Sequence, residues 1–511
     1  MKKYFYSLIT FIIVLLHSQT SVAQSETLDN TFGDEGIVEF EESAINTDGM
    51  SLSFKDDKIY FAFCSDNKAF VVRLLIDGSY DPEFGIDGVQ EILLNDSITF
   101  SHKIRMEIQD DNKIMLVAGT SSPISGVDFC ILRLLDNGLI DSTFNNVGYF
   151  IFDNEGLTDY PRDILIQPDE KILVSGYSYF GSSDLVFRHL ILVRFLPNGT
   201  LDSTFNDIGI LESDILDRGN FIALQSDGKI IACDGGIHAK RFNSNGDYDN
   251  SFEISITGPW GGYSHSLWVN EFDTIFIGGD SNHGPTVYKF LPDGNLYTDF
   301  GEEGKSEIPG DFLTHIHSEN AASDSNGNIF TVGYHDSDYA SDNDHLVIDL
   351  AKISMHGVAD STFSEDAHTV LNLSYDIWPL DIVVQPDDKV VIAGMRSTWD
   401  GWKPICIRYD NLNTYVATES TFQDFSFYPV PANNFVTINF PLEKESELKI
   451  SIYDLQGKRI QVIENHLKLN AGSHSITYNI PNYIQDGNYL FEILLNGEPS
   501  MRKLVPIIKH N

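Results

Sequence analysis

The stretch HDSDYASDNDH, residues 335–345, places Asp336, Asp338, Asp342 and Asp344 in one short segment. Oxygen ligands at that density suit a hard cation such as Ca²⁺. The required Gly and terminal Glu of an EF-hand are missing, so the segment reads as a solvated loop. His315 and His317 flank Ile316, which sets two imidazoles on one face of a strand. His102 and His265 stand at roughly similar places in their own segments, so these histidines would line one mouth of a ring if the segments close into one. The spacing fixes neither a carboxylate nor a third ligand beside them, and a zinc-type site needs one. Trp260, Tyr263, Trp268, Trp378, Trp399 and Trp402 are scattered between apolar runs. Such rings either stack on sugars or fill the packing between neighbouring units.

A second set of charged residues recurs along the chain. Arg73, Arg133, Arg194, Arg241, Lys289, Lys352 and Arg408 each close an apolar run. Asp81, Asp141, Asp202, Asp249 and Asp360 follow five of them at a constant offset, and Tyr297 replaces the Asp after Lys289. A reaction centre needs a set that occurs once, so residues present in nearly every unit read as scaffold. An Asp before a turn accepts backbone N–H bonds, and a strand-end Arg satisfies turn carbonyls or pairs with a carboxylate. The sequence contains no nucleophile elbow, phosphate loop, HExxH or paired-carboxylate motif. It therefore assigns no catalytic, cofactor-binding or metal-binding residue, and no cofactor.

The elements that carry these residues form an internal repeat. In RFLPNGTLDSTFNDIG (194–209) a basic residue is followed by Gly at +5, and that Gly by Phe at +6. The same ruler fits Arg73/Gly78/Phe84, Arg133/Gly138/Phe144, Arg241/Gly246/Phe252, Lys289/Gly294/Phe300 and Lys352/Gly357/Phe363. Between them lie hairpins such as DILIQPDEKILVSG (163–176) and DIVVQPDDKVVIAG (381–394). Pro, Asp, Asn and Gly supply the tight turns, and the Ile/Val/Leu runs are too short for core helices. Each unit thus offers about four strands. Seven such units predict an all-β fold, a seven-bladed β-propeller, whose radial closure leaves no long exposed edges. The LDNTF segment at residue 28 and ICIRY at 405–409 are expected to complete one blade together.

The chain has 511 residues, with 75 Asp and Glu against 33 Lys and Arg. That surface repels phosphate backbones, so nucleic acid is not an expected partner. Lys2, Lys3, the apolar run Phe5–Leu16 and Ser21-Val22-Ala23 read as a signal peptide over residues 1–23. No later run is long and apolar enough for a helical span, so no transmembrane segment is expected in the mature chain. Cys64, Cys130, Cys233 and Cys406 fall in separate apolar runs and read as small buried hydrophobes.

After a polar linker at 416–424, strand-like segments at 427–440, 448–463, 469–480 and 486–497 describe an all-β module over 425–511, a small Ig-like β-sandwich. The pattern over about residues 28–415, with its Asp-x-x-Phe-Gly turn, Gln-x-Asp-x-Lys hairpin and basic-strand-to-Gly turn, resembles the delta-60 repeat family of bacterial surface and secreted proteins. That resemblance implies a propeller-like module and no catalytic residues. Tyr428-Pro429-x-Pro431-Ala432, Ile452-Tyr453-Asp454-x-x-Gly457-Lys458, Gly487-x-Tyr489 and the basic Arg502-Lys503 resemble the C-terminal sorting domain of type IX secretion in Bacteroidetes. Val430 stands where that family usually has Asn. This resemblance implies handling by the type IX machinery, export across the outer membrane, and a secreted or cell-surface product. The expected function is a non-catalytic binding or adhesion module for an extracellular glycan or protein. The alternative is a glycan-acting hydrolase or lyase with its site at the propeller channel.

Overall fold

The computed structural model describes the chain from residue 28 to 509, apart from 41–48, 257–262, 309–316, 337–345, 411–425 and several stretches of five residues or fewer. The expected signal peptide, the linker, His315, Asp338, Asp342 and Asp344 lie outside the described residues, as do the side chains of His102, His317 and Asp336. The described residues form strands throughout, with one short 3₁₀ turn at Phe144–Asn146.

Among the described residues, seven antiparallel four-stranded sheets follow one another between residues 37 and 409. The first comprises Ser51–Lys55, Lys58–Ser65, Lys68–Leu75 and Val89–Ile92, paired in sequence order. The second to sixth repeat that order, starting at Thr99, Thr158, Phe221, Tyr263 and His317. The seventh takes three strands from Ile377–Tyr409 and its outer strand, Ile37–Glu39, from the other end of the chain. Leu28 also bridges Tyr409. The first strands of successive sheets touch in cyclic order, and that of the seventh touches that of the first. The sheets therefore close into a ring, and the fold is a β-propeller.

The apolar runs are continuous because of this ring. Strand Lys68–Leu75 is buried at every position between its ends, since both of its faces are covered by neighbouring sheets. The outer strand Tyr248–Ser255 buries only scattered positions and leaves the others exposed. One core cluster joins Phe40 and Val391 of the seventh sheet to Phe61, Phe63 and Val72 of the first, so closure is made by packing as well as by strand pairing.

The Phe of each Asp-x-x-Phe turn is the wedge between sheets. Phe32, Phe84, Phe144, Phe205 and Phe300 are fully buried. Each ring lies against the turn glycine of the next unit: a Cβ on Gly199, at φ +86°, would meet the Phe144 ring at 2.8 Å and Asn145 N at 2.7 Å. The residue after the Phe also donates its N–H to that next turn, as from Gly33 to Asp77 O at 2.8 Å and from Asn145 to Asn198 O at 2.7 Å. The spacing that defines the repeat is thus the spacing that joins one sheet to the next.

The C-terminal module pairs a three-stranded sheet (Ser426–Tyr428, Phe435–Leu442, Gly472–Asn479) with a four-stranded one (Ser446–Tyr453, Arg459–Leu469, Gly487–Leu495, Glu498–Ile507). Alternate residues of Phe435–Leu442 face inward, and Val436, Ile438 and Phe440 pack on Ile450, Ile452 and Phe491.

Candidate functional site

The recurrent charges are used by the scaffold. Arg73, Arg133, Arg194 and Arg241 each donate from Nε to the Asp eight residues on, at 2.8–2.9 Å. Each Asp also accepts the backbone N–H two residues later, as Asp202 does from Thr204 at 3.0 Å. The guanidinium lies over the Phe of the same turn, 4.4–5.0 Å from the ring centre. Its Nη1 reaches a carbonyl of the next sheet: Asp136 for Arg73, Pro197 for Arg133, Pro292 for Arg241. Arg408 repeats the arrangement with Asp29, Phe32 and the Ile76 carbonyl. These ion pairs are buried, and fully hydrogen-bonded groups are what makes burial of charge tolerable.

Lys289 departs from this plan. Its partner position is Tyr297, and its ammonium sits among the rings of Phe276, Tyr297 and Phe300 at 4.8–5.5 Å. Burial pulls Lys289 down to about 8. Lys352 keeps its carboxylate, with Asp360 at 3.4 Å.

A second belt lines the centre of the ring. Arg105, Asp163, Ser266, Asn320 and Asp381 each stand four residues before the residue that opens the hairpin loop (Gln109, Gln167, Asn270, Asp324 and Gln385). A register shift immediately precedes all but Arg105 in this set, where it comes one residue earlier. Such bulges re-aim side chains. Asp381 accepts from Leu52 N at 2.8 Å and from Asn320 Nδ2 at 2.6 Å, tying the seventh sheet to the first and sixth. Asp163 accepts from Ile222 N at 2.9 Å, and Ser51 Oγ from Met106 N at 3.1 Å. Arg105 donates to Met50 O at 2.5 Å. Burial raises the carboxyls of Asp163, to about 6, and Asp381, while the charge of Arg105 opposes both.

Glu107, two residues after Arg105, lies on Thr99–Ile108, the first strand of the second sheet, and its side chain is exposed. Protein crowded around it raises its carboxyl to about 8 although the side chain keeps solvent contact, and the charges of Asp163 and Asp381 add to the effect. Ser53, Leu165, Ala223, Trp268, Ala322 and Val383 occupy the corresponding places in the other sheets, so this carboxylate occurs once. Glu319, beside the belt residue Asn320, is also raised by burial; His265, the bond from Trp378 Nε1 at 3.1 Å and Lys103 work against the rise.

Among the described residues, one cluster has spacing suited to a cation. Carboxylate oxygens of Asp128, Asp153 and Asp159 lie within 4.8 Å of one another, with Asp128 and Asp159 buried. Burial raises Asp159 to about 6, bonds from Ser178 and Asn154 hold it back, and Asp128 and Asp153 push it up further. Asp128 comes from the second sheet, Asp153 from the loop that follows it and Asp159 from the first strand of the third sheet, so no local motif announced them.

Of the residues that the sequence singled out, His265 is brought within 3.5 Å of Asp280 and within electrostatic reach of Glu319. His335 Nδ1 bonds the buried Asp349. Trp268 stacks on Phe276 at 5.0 Å, and Trp378 meets Trp402 edge-on at 6.5 Å, so these are packing residues. Trp399 is 97% exposed at a hairpin tip. All four cysteines are buried. Burial pushes the Cys64 and Cys406 thiols up to about 12.

Residues 426–509 match the family described as a secretion system C-terminal sorting domain. The chain carries a type IX secretion sorting domain. Residues 109–144 and 167–205 match a β-propeller domain of unknown function, DUF5122. The sorting domain marks the protein for export to the cell surface or the medium, and among the described residues no helix is long and apolar enough to cross a membrane. No curated protein matches the chain. Among solved structures, it is similar to YCF48 bound to D1 peptide, at 13% identity and TM-score 0.40, over 76% of this chain and 99% of that one. PorZ, a surface component of the type-IX secretion system of Porphyromonas gingivalis, is similar at 10% identity and TM-score 0.26, over 91% and 82%. A puromycin hydrolase is similar at 11% identity and TM-score 0.40, over 82% and 62%.

Proposed function

We propose that this protein is a non-catalytic recognition module, displayed or released by type IX secretion, that binds an extracellular glycan or protein. Residues 28–415 would form the ring as seven blades, tethered through 416–424 to a sorting domain at 425–511, after loss of 1–23. The carrying observation is that the charged residues of the repeat are consumed by the scaffold, each Arg bonded at once to its own Asp and to the next sheet. A rigid ring of that kind presents variable loops for binding. The mature chain, applied to glycan arrays and to surface-protein extracts, should show saturable binding without turnover. Failure to bind in either format overturns the reading.

A second reading is a glycan-acting hydrolase or lyase at the channel. It rests on Glu107, a carboxyl found in one sheet and raised to about 8, as a general acid requires. The charges of Asp163 and Asp381 act on it, but both accept two or more hydrogen bonds from the scaffold. Release of reducing ends that is abolished by Glu107→Gln would establish it.

A further inference from the structure

We propose that the crevice between the third and fourth sheets is a binding site for a neutral, hydroxyl-rich ligand, a saccharide unit. This rests on the recognition reading above and gives it a place and a ligand class.

The crevice has a volume of about 440 Å³, within the range of small-molecule sites. Gln167, Lys171 and Arg194 come from the third sheet, and Leu224, Gln225 and Asn245 from the fourth. Gln167 is 7% exposed, and its Oε1 is buried without a hydrogen-bond partner. The corresponding amide one sheet on shows what a satisfied Gln looks like here: Gln225 accepts from Arg241 Nη1 at 3.0 Å and donates to Pro292 O at 2.9 Å. Arg194 does not offer the same help. Its Nε is held by Asp202, its Nη1 by the Ser244 carbonyl and its Nη2 by Thr204 Oγ1. An orphaned buried amide is destabilising, and a partner that supplies its bond recovers much of that loss.

Charge and polarity select the ligand. Lys171 is paired with Asp169 at 2.9 Å and faces Asp202 at 3.5 Å, while Arg194 is paired with Asp202 at 2.8 Å. Each cation of the crevice is held by a carboxylate and Ser226 is bonded to Asp273, so an anion meets no free positive charge on entering. The net charge of −42 further disfavours acidic ligands. An apolar ligand would leave Gln167 unsatisfied. A hydroxyl both donates and accepts, so it serves the amide whichever way its two-fold end is turned, and Leu224 offers an apolar wall for the C–H face of a sugar ring.

The test uses the full mature chain, Gln167→Leu, and Gln385→Leu as a control. Gln385 is also buried with both amide atoms unpartnered, but at the boundary of the seventh and first sheets. Maltose, cellobiose and diacetylchitobiose are titrated calorimetrically at low and high salt, with thermal unfolding confirming that each variant folds. At least one should bind independently of salt, about tenfold more weakly in Gln167→Leu and unchanged in Gln385→Leu. Equal binding by Gln167→Leu, salt-sensitive binding, or a crevice holding only ordered water in crystals soaked with these sugars overturns the site. If array ligands bind Gln167→Leu undiminished, recognition stands and this site falls; if neither arrays nor sugars bind, both fall.

Discussion

Arg408 donates from Nε to Asp29 Oδ2 at 2.8 Å, across 379 residues of chain. Lys389 adds a contact to the same oxygen at 2.7 Å. In the other sheets that keep the pair, the basic residue and its Asp lie eight positions apart on one strand-turn segment. Here the two ends of the propeller supply one each, so the same motif becomes the clasp of the ring.

Asp29→Asn should therefore destabilise the fold by about 3–5 kcal/mol, the usual cost of leaving a buried cation without its carboxylate. Asp202→Asn removes an equivalent pair inside one sheet and leaves the clasp intact. Equilibrium urea unfolding should show a loss in both variants, and limited proteolysis should release the segment around Ile37–Glu39 only in Asp29→Asn. Equal protease resistance in the two would remove the distinction.

Acid should open the ring. Burial works against ionisation at Asp29, Asp81, Asp141 and Asp202, and the bonds and cations around each outweigh it; at Asp249 the Ser251 bond leads. All five are held below the ordinary 3.8. For groups of this sign the stabilisation is present above that value and is lost as pH falls below it. Melting temperature measured from pH 7 to pH 2 should hold down to about pH 4 and then drop steeply, with the slope reduced in Asp202→Asn.

Glu107 acts in the opposite direction. Its folded value of about 8 lies above the ordinary 4.5, so the fold favours the protonated form. Stability is fully present below 4.5 and erodes as pH rises toward 8. Glu107→Gln should gain about 1 kcal/mol over the wild type at pH 8, the modest figure allowing for the exposure of its side chain, and nothing at pH 4. A variant less stable than wild type at pH 8 would contradict the placement.

Lys289 tests why six units keep a carboxylate or an extended guanidinium and one does not. Its value of about 8 against 10.5 means that the folded state prefers the neutral amine, so stability should rise between pH 8 and pH 10.5. Lys289→Met should be more stable at neutral pH by about 1–3 kcal/mol. Tyr297→Asp should help only when Lys289 is present, and a double-mutant cycle should return a coupling of at least about 1 kcal/mol.

Gly199→Ala should cost more than Gly228→Ala. Both glycines have positive φ, which alone costs about 1–2 kcal/mol for an alanine. At Gly228 the added methyl meets only Ser244 Cβ at 3.6 Å, whereas at Gly199 it strikes Phe144 and the backbone of Asn145. Chemical denaturation should separate the two by a further 1 kcal/mol or more, at about the scale of an overpacked core.

Much of this architecture was legible in the residues themselves. Turn chemistry, strand runs and the Arg-to-Gly-to-Phe offsets are short-range, and the sharing of one sheet by the two ends was readable, although the strand supplied is Ile37–Glu39 and LDNTF gives only the Leu28 bridge. The Asp and Arg roles were readable for the same reason: eight residues of one turn bring them together wherever the turn recurs. Location was readable too, since a sorting domain is recognised by its own short motifs.

Only the tertiary structure decided what meets across the ring. Arg105, Glu107, Asp163 and Asp381 come from the second, third and seventh sheets, and each looks unremarkable in its own hairpin. Asp128 joins Asp153 and Asp159 across a sheet boundary, and Gln167 Oε1 is left without a partner although Arg194 lines the same crevice. Local preferences act over a few residues, whereas proximity at the axis depends on how every sheet twists and packs before the last one returns to the first.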